Sequence, residues 1–354
     1  MDAPEQALPW REAVRGGYPS ASLLWLAGPE QLRALRDGIA ERPPISRLTG
    51  MMLTEVGPAE ATFTMPATRW LLSPQGVISA GTLAILADGP LGCAVHTGLP
   101  AATGYSTSEL SLRLLRPARP GGTLVARGRL IHVGRTLALS GVQILDEDGR
   151  LIADGSSMCF VRPLPGAPPA GAPVPAAAPA APPASPDPFE RAALGEAVER
   201  GAWERMSGLE VLQAQLAGDL PYPPIHYLTG LRPTAVAPGQ AVFALPCSEW
   251  LCSPLATVEG GVIAMLADSA LVSAIQTTAP AGVLAAAIDL KVNFVRPVAP
   301  DGRDLVATGR VRHAGRTIAI AEAEVVNADG RAVAFATGSA MMLPARAATP
   351  VDAG

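Results

Sequence analysis

Two aspartates, Asp88 and Asp268, stand 180 positions apart in a chain of 354 residues, each deep in an apolar run. A charged carboxylate is costly to bury without partners, and burial raises its pKa. One at the same place in two copies of a pattern argues for use, as a general base or as a nucleophile. The copies read Ser79-Ala80-Gly81-Thr82-Leu83-Ala84-Ile85-Leu86-Ala87-Asp88 and Glu259-Gly260-Gly261-Val262-Ile263-Ala264-Met265-Leu266-Ala267-Asp268. Small residues, Ala80-Gly81 or Gly260-Gly261, open each run and suit the first turn of a helix. The unpaired N–H groups of such a terminus can hold a carbonyl oxygen as it gains negative charge. From Gly260 to Asp268 is eight residues, roughly 12 Å along a helix axis. One helix therefore cannot bring both groups to a single carbonyl. Each site must join the helix start of one copy to the aspartate of the other.

Those helices need a framework, and the repeat extends well past them. Pro43-Pro44-Ile45, Leu48-Thr49-Gly50, Trp70, Ser73-Pro74 and Arg116-Pro117 recur as Pro223-Pro224-Ile225, Leu228-Thr229-Gly230, Trp250, Ser253-Pro254 and Arg296-Pro297. Gly134-Arg135-Thr136 matches Gly315-Arg316-Thr317 after a slip of one residue. So long a period marks two copies of a whole domain. In each copy the spacing predicts an amphipathic helix, over Gly28 to Gly38 and from Gly208, ended by the proline pairs. Two short strands, the long apolar helix and four strands of period two follow. Leu110, Leu112 and Leu114 alternate with Ser111 and Arg113, as Leu290, Val292 and Phe294 do with Lys291 and Asn293. The leader before about residue 27 holds only a short helix near Trp10. Pro90 predicts a kink beside Asp88. Residues Pro163 to Pro188 are almost all Pro, Ala and Gly, which makes them an extended tether. The domains are then 28–163, a linker at 164–188, and 189–345, the last opening on a helix from Phe189 to Met206. One helix packed on one curved antiparallel sheet, twice over, is an α+β architecture.

Composition narrows the function. A chain 49% hydrophobic with a net charge of -4 is neither disordered nor built to bind nucleic acid. Cys93, Cys159, Cys247 and Cys252 lack zinc spacing and read as reduced thiols. His96, His226, His132 and His313 fall on packing or surface positions, so no metal is expected. Met1-Asp2-Ala3-Pro4-Glu5 lacks the basic and apolar regions of a signal peptide, and each long apolar run carries a central Asp. A cytoplasmic protein without a membrane partner is expected.

The pattern Ser253-Pro254, Val258-Glu259-Gly260-Gly261, Leu266-Ala267-Asp268 and Lys291-Val292-Asn293-Phe294-Val295-Arg296-Pro297 resembles the hot-dog-fold thioesterases of the phenylacetate-pathway (PaaI-like) type. The first copy matches through Gly92-Cys93-Ala94-Val95-His96, Tyr105-Ser106-Thr107 and Leu115-Arg116-Pro117. The resemblance implies two hot-dog domains paired as an internal pseudo-dimer, with any further homo-oligomer left open. It implies hydrolysis of an acyl-CoA thioester, with CoA as part of the substrate and no other cofactor. On this reading Asp88 and Asp268 are the carboxylates, and Ala80-Gly81 and Gly260-Gly261 the oxyanion donors. Ser106 and Thr107 are the hydroxyls that orient water. Where the family has His-Gly-Gly, with an Asn six residues earlier, this chain has Ser79 and Glu259, Ser73 and Ser253. Those four residues, with Arg116, Arg135, Arg296 and Arg316 for the CoA phosphates, are the expected substrate contacts. The Asp88 site is expected to be the active one, because Ala286 and Ala287 replace the hydroxyls in the other. The alternative is an acyl-CoA-binding hot-dog protein with degenerate sites.

Overall fold

Leucine and valine at every second position, small turn residues and two long runs that are apolar but for a few residues, the aspartates among them, produce the same succession of elements twice. The computed structural model describes residues 8–166 and 185–345. The first copy runs α1 (Ala21–Leu24), α2 (Gly28–Arg36), α3 (Pro44–Thr49), β1 (Met52–Gly57), β2 (Glu60–Pro66), α4 (Ala80–Thr97), β3 (Thr103–Leu114), β4 (Thr123–Val133), β5 (Leu137–Leu145) and β6 (Leu151–Pro163). The second runs α5 (Arg200–Arg205), α6 (Gly208–Ala217), α7 (Pro224–Thr229), β7 (Arg232–Ala237), β8 (Gln240–Pro246), α8 (Gly260–Gln276), β9 (Val283–Phe294), β10 (Asp304–Ala314), β11 (Ile318–Val326) and β12 (Ala332–Pro344).

The strands form one antiparallel sheet in the order β1-β2-β4-β5-β6-β3-β9-β12-β11-β10-β8-β7. Its two halves join where β3 pairs with β9, from Glu109 opposite Asn293 to Arg113 opposite Asp289. Leu110, Leu112, Leu290 and Val292 of these strands are buried against the helices, as period two requires. A single hydrophobic core spans both copies. The long helices α4 and α8 cross at its centre. A Cβ on Gly81 would lie 2.6 Å from Met265 Cα, and one on Gly261 would lie 2.4 Å from the Ala84 carbonyl oxygen. Only a residue without a side chain lets the backbones meet there.

Several local expectations change. Pro43-Pro44 and Pro223-Pro224 do not end α2 and α6; they start α3 and α7, with Pro at the first helical position and a left-handed Gly50 or Gly230 closing the turn. Phe189 to Met206 is not one helix. A single 3-10 turn at Pro188–Glu190 and α5 are helical, and Gly195, at φ +80°, interrupts the stretch between them. Pro90 lies inside α4, which continues through it to Thr97. The tether falls mostly on residues 167–184, outside the described residues, as does the tail from 346.

The leaders are part of the repeat. Pro9-Trp10-Arg11-Glu12 corresponds to Pro188-Phe189-Glu190-Arg191, and each lies on the opposite copy. The Trp250 indole donates to the Glu12 carbonyl at 3.0 Å, and the Trp70 indole donates to the Arg191 carbonyl at 3.0 Å. Trp10 packs over Gly230, and Phe189 over Gly50. The Arg191 guanidinium also donates to the Glu12 carboxylate, Nη2 to Oε2 at 2.9 Å. Asp187, 3% exposed, is held by Arg15 at 3.3 Å and Arg47 at 3.1 Å. Among the described residues no helix is long and apolar enough to cross a membrane.

Candidate active site

At the crossing of α4 and α8, each aspartate meets the start of the other helix. The Gly261 N–H donates to Asp88 Oδ2 at 3.2 Å, and the Gly81 N–H donates to Asp268 Oδ2 at 2.8 Å. Both sites are therefore composite, joining Gly260-Gly261 with Asp88 and Ala80-Gly81 with Asp268. Pro90 does not carry Asp88 out of reach.

The Asp88 site opens along one face of α4. Asp88, Gly92 and His96 follow one another at intervals of four and look toward β3. Tyr105 of β3 crosses this face: its hydroxyl would sit 2.4 Å from a Cβ on Gly92, and its ring centroid lies 5.5 Å from that of His96. Asp88, Cys93, His96, Tyr105 and Thr107 all keep partial exposure. Burial pushes the Asp88 carboxyl up to about 6, against the backbone N–H groups of Gly261 and Gly260 and the Thr107 hydroxyl, which favour its charged form. At neutral pH it is ionised yet poised to accept a proton. Burial drives His96 down to about 4, so its ring is neutral, and Nδ1 is buried without a partner. Cys93 is pushed up to about 12 by burial, then by Asp88 and Glu259, and stays a thiol.

The Asp268 site is closed. Asp268 is 2% exposed, and Gln276, at the position of His96, is equally buried. The Gln276 amide accepts from the Ala285 N–H at 2.8 Å and donates to the Val283 carbonyl at 3.1 Å. Gln75 reaches in from before α4 to donate to the Ala285 carbonyl at 3.0 Å. Side-chain bulk is exchanged between the repeats: Gly92 faces Tyr105 in one, while Val272 and Ala285 hold the same positions in the other. Leu255, the counterpart of Gln75, is 55% exposed and leaves the Asp88 site unplugged.

Burial raises Asp268 to about 6, against the Gly81 N–H and the Ser79 hydroxyl. A folded-state pKa above the unfolded value gives stability that is full below the unfolded pKa and is lost as pH rises through about 6. Asp268→Asn keeps an oxygen for Gly81 and removes the charge. We expect it to stabilise the protein at pH 8 by about 1–3 kcal/mol, the gain shrinking toward pH 4. Urea midpoints at the two pH values measure this, and equal shifts at both would show that the charge is not the cause.

The other expected contacts divide. Thr107 lies beside Asp88, but Ser106 does not: neighbouring strand residues face opposite sides, and Ser106 pairs on the outer face with Phe160, which is 54% exposed. Ser79 caps α4, accepting from the Thr82 N–H at 3.2 Å. Glu259 is buried, and Oε2 has no hydrogen-bond partner. Ser73 Oγ is likewise buried without a partner, while Ser253 Oγ accepts from the Leu255 N–H at 3.3 Å. Arg116 is exposed and donates to the Leu151 carbonyl at 2.7 Å; Arg296 does the same to Ala332. Arg135 and Arg316 are exposed on the hairpins that follow β4 and β10. Cys93, His96 and Tyr105 complete the Asp88 site, and sequence reasoning did not place them there. The spacing of Asp88, Gly92 and His96 on one helical face was the available signal.

The family model of the Thioesterase superfamily matches this chain twice, over residues 75–153 and 255–334. Each match contains one long helix with its aspartate. No curated protein sequence matches the chain. Among solved structures, the TesB protein of Mycobacterium avium subs paratuberculosis is 13% identical, with 85% of this chain and 98% of that one covered and a TM-score of 0.52. An acyl-CoA thioesterase II, TesB2, from Mycobacterium marinum is 15% identical, with 85% and 97% covered and a TM-score of 0.50. At those identities the likeness is one of fold, and it extends over both halves. With the paired helices, the continuous sheet and the doubled family match, the chain belongs to the Thioesterase superfamily as a tandem pair of hot-dog domains.

Proposed function

We propose that this protein hydrolyses an acyl-CoA thioester at the Asp88 site alone, the Asp268 site having become structural. One observation carries the reading: two matched carboxylates sit on two helix starts, and only Asp88 keeps an open face. A substrate carbonyl would enter beside Gly260. Asp88 takes a proton from water as the water oxygen bonds to the carbonyl carbon. Collapse of the tetrahedral intermediate breaks the C–S bond, and the departing CoA sulfur recovers the proton. Thr107, on the strand facing Asp88, orients the water. The reading needs no cofactor, since CoA is part of the substrate. Apolar walls around Tyr105 suit a fatty or aromatic acyl group.

Steady-state hydrolysis of a panel of short, long and aromatic acyl-CoA thioesters, followed by thiol release, tests the proposal. Turnover of at least one supports it. Binding without turnover would favour the alternative of an acyl-CoA-binding protein, to which one feature points: the Gly261 N–H is already taken by Asp88.

If the exposed arginines hold the CoA phosphates, KM should rise with ionic strength, because exposed charge pairs are screened. Arg116→Ala or Arg296→Ala should raise KM several-fold at low salt and leave kcat within about twofold, since the phosphates lie far from the reacting carbon. Unchanged KM values in both variants would make these residues strand-end supports only.

A further inference from the structure

Glu259 is the N-cap residue of α8, directly before the two glycines that meet Asp88, and its side chain makes no capping hydrogen bond. It is 5% exposed, and Oε2 is buried without a partner. Its counterpart Ser79 caps α4 with a short hydroxyl. A long acid at such a position gives up the cap and leaves a buried polar oxygen unsatisfied, which costs stability. The titratable groups that face it are Asp88 and Cys93 of α4, Tyr105 of β3 and Cys252 in the loop before α8. None of them is a cation. Two carboxyls in one buried site cannot both ionise freely. The backbone N–H groups of Gly260 and Gly261 favour charge on Asp88, while burial, and then Asp88 itself, raise the Glu259 carboxyl well above the usual carboxylate range. The helix start also has an N–H already engaged by that carboxylate, which leaves a bound carbonyl short of donors.

We propose that Glu259 is a catalytic residue of the Asp88 site: a neutral carboxylic acid whose O–H donates to the carbonyl oxygen of the bound thioester. The inference rests on the hydrolytic reading above. No proton leaves Glu259 in the cycle; it hydrogen-bonds the oxygen as negative charge develops, and Asp88 carries the water proton to the departing sulfur. A neutral acid is suited to this, since an ionised one would repel the oxyanion.

The test uses the full chain and Glu259→Gln, which keeps an N–H donor, beside Glu259→Ala, which does not. An acyl-CoA analogue with methylene in place of the thioester sulfur and a 13C carbonyl is the probe, and infrared spectroscopy reads its C=O stretch. The stretch should fall on binding to the parent and to Glu259→Gln, and the fall should disappear in Glu259→Ala. Hydrolysis should drop by about 10²-fold in Glu259→Ala and within about tenfold in Glu259→Gln. An unshifted carbonyl in the parent, or a shift that survives in Glu259→Ala, overturns the proposal. A shift that follows the expected pattern in a protein without turnover keeps Glu259 as the carbonyl donor and removes the hydrolytic reading instead.

Discussion

Asp88→Asn is expected to lower kcat/KM for acyl-CoA hydrolysis by roughly 10²-fold or more, and at pH 8 to stabilise the fold in the same direction as Asp268→Asn, since burial raises this carboxyl to about 6 as well. The amide oxygen can still accept from the Gly261 N–H, so the helix crossing survives, but an amide cannot take a proton from water. In the parent, kcat/KM should fall as pH drops through about 6, where burial has placed the Asp88 carboxyl. That acid limb should be missing from whatever activity Asp88→Asn retains. Asp268→Asn, by contrast, should keep parental turnover, because its site is filled by Gln75 and Gln276. If Asp268→Asn is the inactive variant and Asp88→Asn keeps full turnover, the open and closed sites have been assigned the wrong way round.

Gly261→Ala should destabilise the chain by about 3 kcal/mol or more, at the upper end of what overpacking does. A methyl group there would lie 2.4 Å from the Ala84 carbonyl oxygen and 2.5 Å from Ile85 Cα. Both neighbours are backbone in the middle of a helix, and neither can move aside like the tip of a side chain. The helices would have to separate, drawing Gly261 from Asp88 and Gly81 from Asp268 together. One methyl group is therefore expected to lower both the urea midpoint and kcat. A variant that melts with the parent would mean that α4 and α8 do not cross as tightly as described.

Much of this was legible in the sequence because repetition made it so. Two copies of one pattern fix the boundaries of α4, α8 and the strands better than either copy does alone, and eight residues of helix force composite sites. Other features depend on contacts that spacing does not encode. The pairs Pro43-Pro44 and Pro223-Pro224 suit a helix start as well as a helix end, and position decides between them. Phe189 to Met206 has helical composition, yet its backbone makes other bonds: the Trp70 indole donates to the Arg191 carbonyl and the Val198 N–H donates to Pro74. Ser106 and Thr107 look interchangeable until the pleat of β3 turns one outward. The openness of one site was hidden for a related reason. Gln75 and Leu255 occupy matching positions in unremarkable loops, and only the packing shows that the first is a plug and the second is not.

The salt bridge between Glu12 and Arg191 joins two residues that are the same position of the ancestral repeat. In a dimer of separate identical chains that position would face itself, glutamate against glutamate or arginine against arginine, and the contact would be repulsive. Covalent fusion removes the constraint, because a substitution in one half is no longer copied into the other. The same release allows Gln276 to stand where the first half has His96. Duplication of this kind is less a doubling of capacity than a licence for asymmetry, with one composite site free to fill in while the other, also built from both halves, keeps its partial exposure.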